Sequence, residues 1–447
     1  MAKPRKSSAL WGAAAVLAVA AVVAGGAALA WALPAPLPVL SSQIAARKAD
    51  VAHGAYLATV GDCTACHTAP GGPAFAGGLP FPTPLGVVYS TNITPDHQNG
   101  AGAYTLPQFI RVMRQGVARD GRRIYPAMPY TAYAKLSDVD LQDIYGYFQQ
   151  GVRPVAQANR ASGIIWPLSM RWPLAFWNKL FLDDSRFQAQ ASLTAAQNRG
   201  AYLVQGLGHC GTCHTPRGPA FQELATTNAS KAYLSGAEID GQSAANLRGD
   251  AATGLGRWTP ADIVELLKTA RTAHAAVAGQ MTEVVQNSTQ YMHDDDLQDI
   301  ALYLKTLSPS GAEHARFSAS KVTYSQFMAG DAKTGGARMY MDSCSACHRL
   351  DGAGYNHIFP SLAGNATVLH ANPDSLVAVI LGGARLPSTA GQPSRTAMPA
   401  FGWRYSDAEV AALASFVRSA WGNQAPEVTA SQVSRIRKLA NDKTRQR

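Results

Sequence analysis

The chain has 447 residues, of which 47% are hydrophobic, which is typical of a globular protein and excludes wholesale disorder. Only 15% are charged, well below the roughly 25% of an average soluble protein. Its length allows roughly two to four domains of ordinary size. The formal net charge of +10 would suit nucleic acid, anionic lipid or an acidic protein. Because the body of the chain contains no nucleic-acid-binding motif and no block rich in Lys and Arg, we expect no nucleic-acid partner.

The N-terminus has the pattern of an export segment. Three basic residues within the first six precede a run of 25 uncharged residues, Ala9 to Leu33. That run is long enough to cross a bilayer, while Ala28-Leu29-Ala30 offers a signal-peptidase site. A membrane anchor and a cleaved signal peptide both remain open, with residues 34–42 as a stiff spacer. Either interpretation predicts that the rest of the chain is exported.

All six cysteines lie in one repeated pattern, Cys-x-x-Cys-His, which is the attachment sequence of c-type haem. Two thiols on one helical turn can form thioethers with the haem vinyl groups, and the histidine then supplies an imidazole to the iron. A thioredoxin-like pair, a zinc site or three disulfides explain the pattern less well, since no cysteine is left over and a histidine follows every pair. The sequence predicts three covalent haems attached by Cys63, Cys66, Cys210, Cys213, Cys344 and Cys347, with His67, His214 and His348 as iron ligands.

The three motifs sit in a repeated frame. Gly54-Ala55-Tyr56-Leu57 and Gly200-Ala201-Tyr202-Leu203 lead into the first two motifs, and a related segment at 336–340 leads into the third. Each of these segments reads as the start of a helix that packs near its haem. The predicted fold is all-α, with three tandem class I cytochrome c-type domains after the hydrophobic segment. The predicted divisions are 1–42 signal or anchor with spacer, 48–152 domain one, 153–193 linker, 194–309 domain two, 310–329 linker, 330–423 domain three and 424–447 basic C-terminal tail.

A methionine thioether is the usual second axial ligand in electron-transfer cytochromes. In domain one Met128 lies between prolines in a short loop, and a helix start signal follows at Ser137. In domain three Met398 precedes Pro399, and Ser406 marks the next helix start. We therefore predict Met128 and Met398 as axial ligands.

Domain two offers two methionines. Met281 lies at about the same distance before the last helix as the methionines of the other domains, whereas Met292 is too close to that helix. The sequence favours Met281, with His293 or His274 as imidazole alternatives.

Two further segments are open to two interpretations each. Residues 164–182 are aromatic and apolar, which suits a linker packed between domains or a surface for a partner subunit or the bilayer. The basic stretch at 434–439 suits a short amphipathic helix on anionic lipid or a solvated tail.

The chain resembles the tri-haem cytochrome c subunits of bacterial membrane-bound dehydrogenases. The resemblance rests on GAYLATVGDCTACHTAPGG, on the segment at 89–96 and on RRIYPAMPYTAYAKLSDVDLQDIYGYF, and it spans about residues 48–425. It implies a subunit without catalysis of its own, at the periplasmic face of the inner membrane. Such a subunit takes electrons from a catalytic subunit of the flavin, pyrroloquinoline quinone or molybdopterin type and passes them to ubiquinone or a downstream oxidase.

Two alternatives stay open at this stage. The first is a haem peroxidase, which needs one iron with an open axial position. The second is the cytochrome c subunit of a terminal oxidase.

Overall fold

The computed structural model describes residues 36–239, 241–311 and 316–445. The predicted signal or anchor run, Ala9 to Leu33, lies outside these residues. Within them, no helix combines the length and the apolar composition that crossing a membrane requires. The chain is mostly helical, with 41% of residues in helices, in agreement with the predicted class.

The described chain divides into three regions. The first region, residues 42–181, contains seven α-helices, a hairpin and one π-helical turn. Its elements are α1 (Ser42–Ala46), α2 (Val51–Val60), α3 (Cys63–His67), β1 (Pro80–Thr83), β2 (Gly86–Tyr89), α4 (Leu106–Gln115), α5 (Tyr130–Tyr133), α6 (Asp138–Gly146), the π-helical turn Tyr147–Gly151 and α7 (Leu174–Phe181).

The second region repeats this order. Its elements are α8 (Ala195–Gln205), α9 (Gly211–His214), β3 (Ala237–Ile239), β4 (Gln242–Ala244), α10 (Pro260–Thr269), α11 (Gln280–Asn287), the 3₁₀ turn Thr289–Tyr291 and α12 (Asp294–Leu304).

The third region follows a similar plan and ends in a long helix. Its elements are β5 (Arg316–Phe317), α13 (Val322–Met328), α14 (Gly335–Ser343), α15 (Ser345–His348), α16 (Ala366–Leu369), α17 (Asp374–Gly382), β6 (Ala384–Arg385), β7 (Ala397–Met398), α18 (Asp407–Ser419), the 3₁₀ turn Ala420–Gly422, β8 (Asn423–Gln424) and α19 (Ala430–Arg445). Among the described residues, the strands form four antiparallel pairs, β1–β2, β3–β4, β5–β8 and β6–β7, which the all-α prediction did not include.

One helix crossing is built three times. The helix before each haem motif packs against the helix that ends its repeat: α2 on α6, α8 on α12 and α14 on α18, with α7 and α19 lying after the first and third repeats. At each crossing a glycine allows the two backbones to meet, because a Cβ atom at Gly54, Gly200 or Gly336 would overlap a carbonyl oxygen of the partner helix. In the first two repeats this glycine lies inside the helix, which begins earlier than the sequence predicted, at Val51 and Ala195.

Local capping signals set the helix starts as predicted. Ser137 accepts a hydrogen bond from the Asp140 backbone N–H at the start of α6. Ser406 and Glu409 form a capping box at the start of α18. Met113 of α4 is buried in the core that the first two regions share.

The first and second regions share one hydrophobic core. A single cluster of buried residues runs from Leu57 to Leu307, whereas a separate cluster, from Phe327 to Ile436, forms the core of the third region. The first two repeats are therefore packed as a pair.

Reciprocal tyrosine bonds hold this pair together. The Tyr56 hydroxyl donates to Asp296 of the second repeat over 2.6 Å, and the Tyr202 hydroxyl donates to Asp140 of the first. Each hydroxyl also accepts a backbone N–H at the start of the partner repeat's last helix, from His293 at 3.3 Å and from Ser137 at 3.0 Å. The two repeats thus exchange equivalent contacts, as expected for a pseudo-two-fold arrangement.

The C-terminal basic stretch is packed against the third region. It lies in α19, where Val433 and Ile436 are buried in the third core. Arg435 is paired with Asp374 at 2.7 Å, so part of its positive charge is already compensated within the chain.

We expect Gly336→Ala to destabilise the third region, because the added methyl group would overlap the Ala412 carbonyl oxygen. Overpacking of this kind costs about 1–3 kcal/mol or more. Its matched control is Gly335→Ala in the same helix, where a Cβ atom meets no described neighbour within 4 Å. Chemical denaturation should show a lower midpoint for Gly336→Ala alone, and equal midpoints for the two variants would contradict the crossing.

We expect Tyr56→Phe to lower the free energy of unfolding by about 1.5–3 kcal/mol, the usual worth of a hydrogen bond to a charged group. The substitution removes the donor to Asp296, which is mostly buried. Tyr291→Phe, at a tyrosine that is 60% exposed, is the control. Thermal unfolding followed by circular dichroism checks the difference, and an unchanged Tyr56→Phe midpoint would argue against the reciprocal bonds as a source of stability.

Candidate haem-binding sites

Each Cys-x-x-Cys-His motif forms a short helix of its own. The three helices α3, α9 and α15 carry the second cysteine and the histidine of each motif, and all six cysteines are free of disulfides. Burial raises the pKa of Cys63 to about 12 and that of Cys66 to about 11. Reactive redox cysteines and zinc ligands need a lowered thiol pKa, so the surroundings fit an apolar group such as porphyrin better.

The three motif histidines share one hydrogen-bond pattern. The Nδ1–H group of His67 donates to the Thr91 carbonyl oxygen over 2.7 Å, and that of His214 donates to the Ala245 carbonyl oxygen over 2.7 Å. The third histidine donates to the carbonyl oxygen of Pro360 over 3.0 Å. Because a carbonyl oxygen can only accept, each bond places the proton on Nδ1 and leaves the Nε2 lone pair for a metal.

Burial lowers the pKa of all three histidines, while the bond to the carbonyl oxygen acts in the opposite direction. A neutral imidazole with a fixed tautomer is the form that binds iron. The chain's own residues therefore fit a haem iron at each motif.

The accepting carbonyl groups are a part of the site that the sequence did not reveal. In the first two repeats the acceptor is followed by a buried asparagine, Asn92 or Asn246. The Asn92 side-chain amide donates to the Val155 carbonyl oxygen over 2.8 Å, and Asn246 donates to Asp250 over 2.8 Å. The repeated spacing Asn-x-x-x-Asp, at 92–96 and 246–250, was the available sequence signal.

A shared hairpin register places Met128 and Met281 at equivalent positions. The residue that follows α4 accepts a hydrogen bond from the Ile124 N–H at 2.8 Å, and Met128 lies four residues further on. The residue that follows α10 accepts the same bond from the Val277 N–H at 2.9 Å, and Met281 again lies four residues further on. Both methionines are partly buried against hydrophobic clusters.

The alternatives in the second repeat are engaged elsewhere. Met292 is buried in the shared core. His293 stacks on Tyr56 with ring centroids 4.0 Å apart, and His274 stacks on Trp258 at 5.0 Å. These contacts favour Met281 as the sixth ligand.

The methionine of the third repeat lies in a β-strand. Met398 lies in β7 opposite Ala384 of β6, and it is partly buried against the third core. Gly383, at φ 72°, makes the turn that brings β6 beside this strand.

The first and second motifs lie next to each other. The Nε2 atom of His209, just before the second motif, lies 3.3 Å from the carbonyl oxygen of Gly61, just before the first. Burial, the Asp62 carboxyl group and the Cys213 thiol all raise the pKa of Cys66, so the two motifs are close enough to interact electrostatically. His209 thus links the segment before the second motif to the segment before the first.

Comparison with known proteins identifies related cytochromes. The cytochrome c family profile matches residues 334–421. The gluconate 2-dehydrogenase cytochrome c subunit of Pantoea cypripedii is 48% identical over 88% of this chain and 90% of its own length. The chain belongs to the family of dehydrogenase cytochrome c subunits.

Two other relatives also align with this chain over most of their length. The cytochrome c subunit of the quinone-type alcohol dehydrogenase of Gluconacetobacter polyoxogenes is 46% identical over 87% of this chain and 84% of its own. The fructose dehydrogenase cytochrome subunit of Gluconobacter japonicus is 36% identical over 90% of this chain and 85% of its own. As a dehydrogenase cytochrome c subunit, the chain has electron transfer as its general role.

We expect Met281→Ala to lower the reduction potential of one haem, because a thioether ligand raises the potential of haem iron. The potentials of the other haems should change little. Met328→Ala, at an exposed methionine of the third region, is the control. A spectroelectrochemical titration checks this, and three unchanged potentials in Met281→Ala would rule the residue out as a ligand.

Proposed function

We propose that this chain is a three-haem electron-transfer subunit at the periplasmic face of the inner membrane. It accepts electrons from a catalytic dehydrogenase subunit of the flavin, pyrroloquinoline quinone or molybdopterin type, and passes them to ubiquinone or a downstream oxidase. The observation that carries the proposal is the threefold repetition of a motif histidine whose Nδ1–H donates to a backbone carbonyl oxygen.

The chain's residues have distinct tasks in this proposal. The six motif cysteines would tether the haems, and the three motif histidines together with Met128, Met281 and Met398 would hold the haem irons. When bound, each haem supplies one-electron redox chemistry. The protein sets ligand identity, burial and position, which are its means of tuning potential.

The second domain is proposed as the middle of the electron path, because it contacts both of the others. It shares a core with the first domain. Towards the third domain, Arg271 donates to Thr396 and to the Ser394 carbonyl oxygen at 2.8 Å each. His357 also lies 2.5 Å from Glu265. Electron tunnelling falls steeply with distance, so this arrangement supports transfer in steps between neighbouring sites.

The ligand set argues against a peroxidase. A peroxidase needs an iron with an open axial position. Each repeat here offers a partly buried methionine before its last helix: Met128 in a turn, Met281 at the start of α11 and Met398 in β7. The relatives are named as subunits of gluconate, alcohol and fructose dehydrogenases, which supports a dehydrogenase partner over a terminal oxidase.

The test uses the native complex purified from membranes. We expect three haems per chain by the pyridine haemochrome assay, reduction of those haems when the partner dehydrogenase receives its substrate, and reoxidation by a soluble ubiquinone analogue. The paired substitution Cys344→Ser and Cys347→Ser should leave two haems. Fewer than three haems in the unaltered chain, or no substrate-dependent reduction in the intact complex, would refute the proposed function.

A further inference from the structure

The segment at 164–182, here called the aromatic segment, exposes an unusual amount of apolar surface. Trp166 is 78% exposed, Trp172 is 55% exposed and Leu180 is 72% exposed. Single exposed apolar residues are ordinary on proteins, but a concentration of large ones marks an interaction site.

The helix of this segment has two different faces. Ala175 and Asn178 of α7 are buried towards the protein. Trp172, Phe176 and Leu180 recur every four residues and therefore share another face, on which the first and last are exposed. A helix that shows apolar side chains away from its own core lacks a covering surface.

The aromatic segment is held firmly in place. The Tyr130 hydroxyl donates to the Asn178 side-chain oxygen over 2.7 Å, and the Asn178 amide donates to the Gln115 carbonyl oxygen over 2.8 Å. The Trp177 indole N–H donates to the Ala220 carbonyl oxygen of the second region over 2.8 Å. The predicted packing between domains is thus present on the inner side of the segment, and the outer apolar face is a fixed surface.

Basic side chains accompany this apolar face. The guanidinium group of Arg171 lies 3.6 Å from the centre of the Tyr125 ring and bonds to the Arg123 carbonyl oxygen in the adjoining loop, 117–123. Together, the loop and the aromatic segment contain five basic residues and one acidic residue, and two aspartates at 183 and 184 follow the segment. The first of these two is paired with Lys135 at 2.5 Å. Within the loop, the acidic residue is Asp120, which lies 3.6 Å from Arg122.

We infer that the aromatic segment docks on the surface of an anionic phospholipid bilayer. Tryptophans settle at the boundary between headgroups and acyl chains, and nearby cationic groups are attracted to anionic headgroups. Protein interfaces are also enriched in tryptophan and arginine, so the test below measures shielding by the partner dehydrogenase as a separate outcome.

The N-terminal hydrophobic run and its short spacer are consistent with docking on a membrane. The uncharged run Ala9–Leu33 precedes a spacer of nine residues, 34–42, which can span at most about 30 Å when extended. A chain delivered to the membrane by that run begins its folded part close to the lipid surface. The inference rests on the proposed membrane location and names the surface that meets the lipid.

The test places a nitroxide spin label on the haem-loaded full chain at Leu180→Cys. Once the native cysteines are in thioethers, the introduced thiol is the one available for labelling. Val322→Cys, at a residue of the third region that is 63% exposed, is the matched control. Accessibility is measured by electron paramagnetic resonance with oxygen, which enters acyl chains, and with a nickel chelate, which stays in water.

With vesicles of phosphatidylethanolamine and phosphatidylglycerol, we expect the oxygen-to-nickel accessibility ratio at position 180 to rise several-fold and the ratio at 322 to stay constant. Pure phosphatidylcholine vesicles should give a smaller rise. An unchanged ratio at 180 would overturn the inference. So would a label that the partner dehydrogenase shields from both reagents without lipid, since the face would then be a protein interface.

The readout is independent of the proposed electron transfer. Vesicle attachment through the N-terminal run alone would leave the label at 180 in water, and this outcome also counts against the inference. Substrate-dependent haem reduction, measured on the same preparation, tests the proposed function separately.

Discussion

A hydrogen bond from an imidazole to a backbone carbonyl oxygen recurs at all three haem motifs, and the proposed chemistry of the chain depends on it. The bond fixes the tautomer of His67, His214 and His348, and it orients each ring from a loop that is remote in sequence. In the first two repeats a short hairpin leads to the acceptor, followed by a buried asparagine that secures the loop. Ligand orientation therefore comes from the folded repeat, while the motif supplies only the residue types.

The glycine crossing shows that a short repeated sequence also determines how the helices pack. The helix before each motif meets the last helix of its repeat so closely that only glycine fits at the crossing. In the first two repeats the neighbouring tyrosine then reaches across to the partner repeat. The sequence Gly-Ala-Tyr-Leu, at 54–57 and 200–203, thus contributes both to packing within a repeat and to the contacts between the first two repeats.

Much of the fold and of the site follows from local sequence, because capping and motif spacing depend on neighbouring residues. The helix starts at Ser137 and Ser406 were predictable for this reason. The assignment of the axial methionines remains a prediction, now favoured by the hairpin register. The bond between Tyr56 and Asp296 joins residues 240 positions apart, so no local pattern could indicate it.

The interface between the second and third domains differs in character from the shared core. It combines polar contacts, such as those of Arg271 with Ser394 and Thr396, with small apolar clusters. In one of these clusters Val277 of the second region is grouped with Leu386 of the third, while the two main cores stay separate. An interface that is partly polar resists relative motion less than a common apolar core does. In the proposed three-haem arrangement, motion at this interface would change the gap between the second and third haem sites more than the gap between the first and second, so we expect solvent viscosity to slow the former step more.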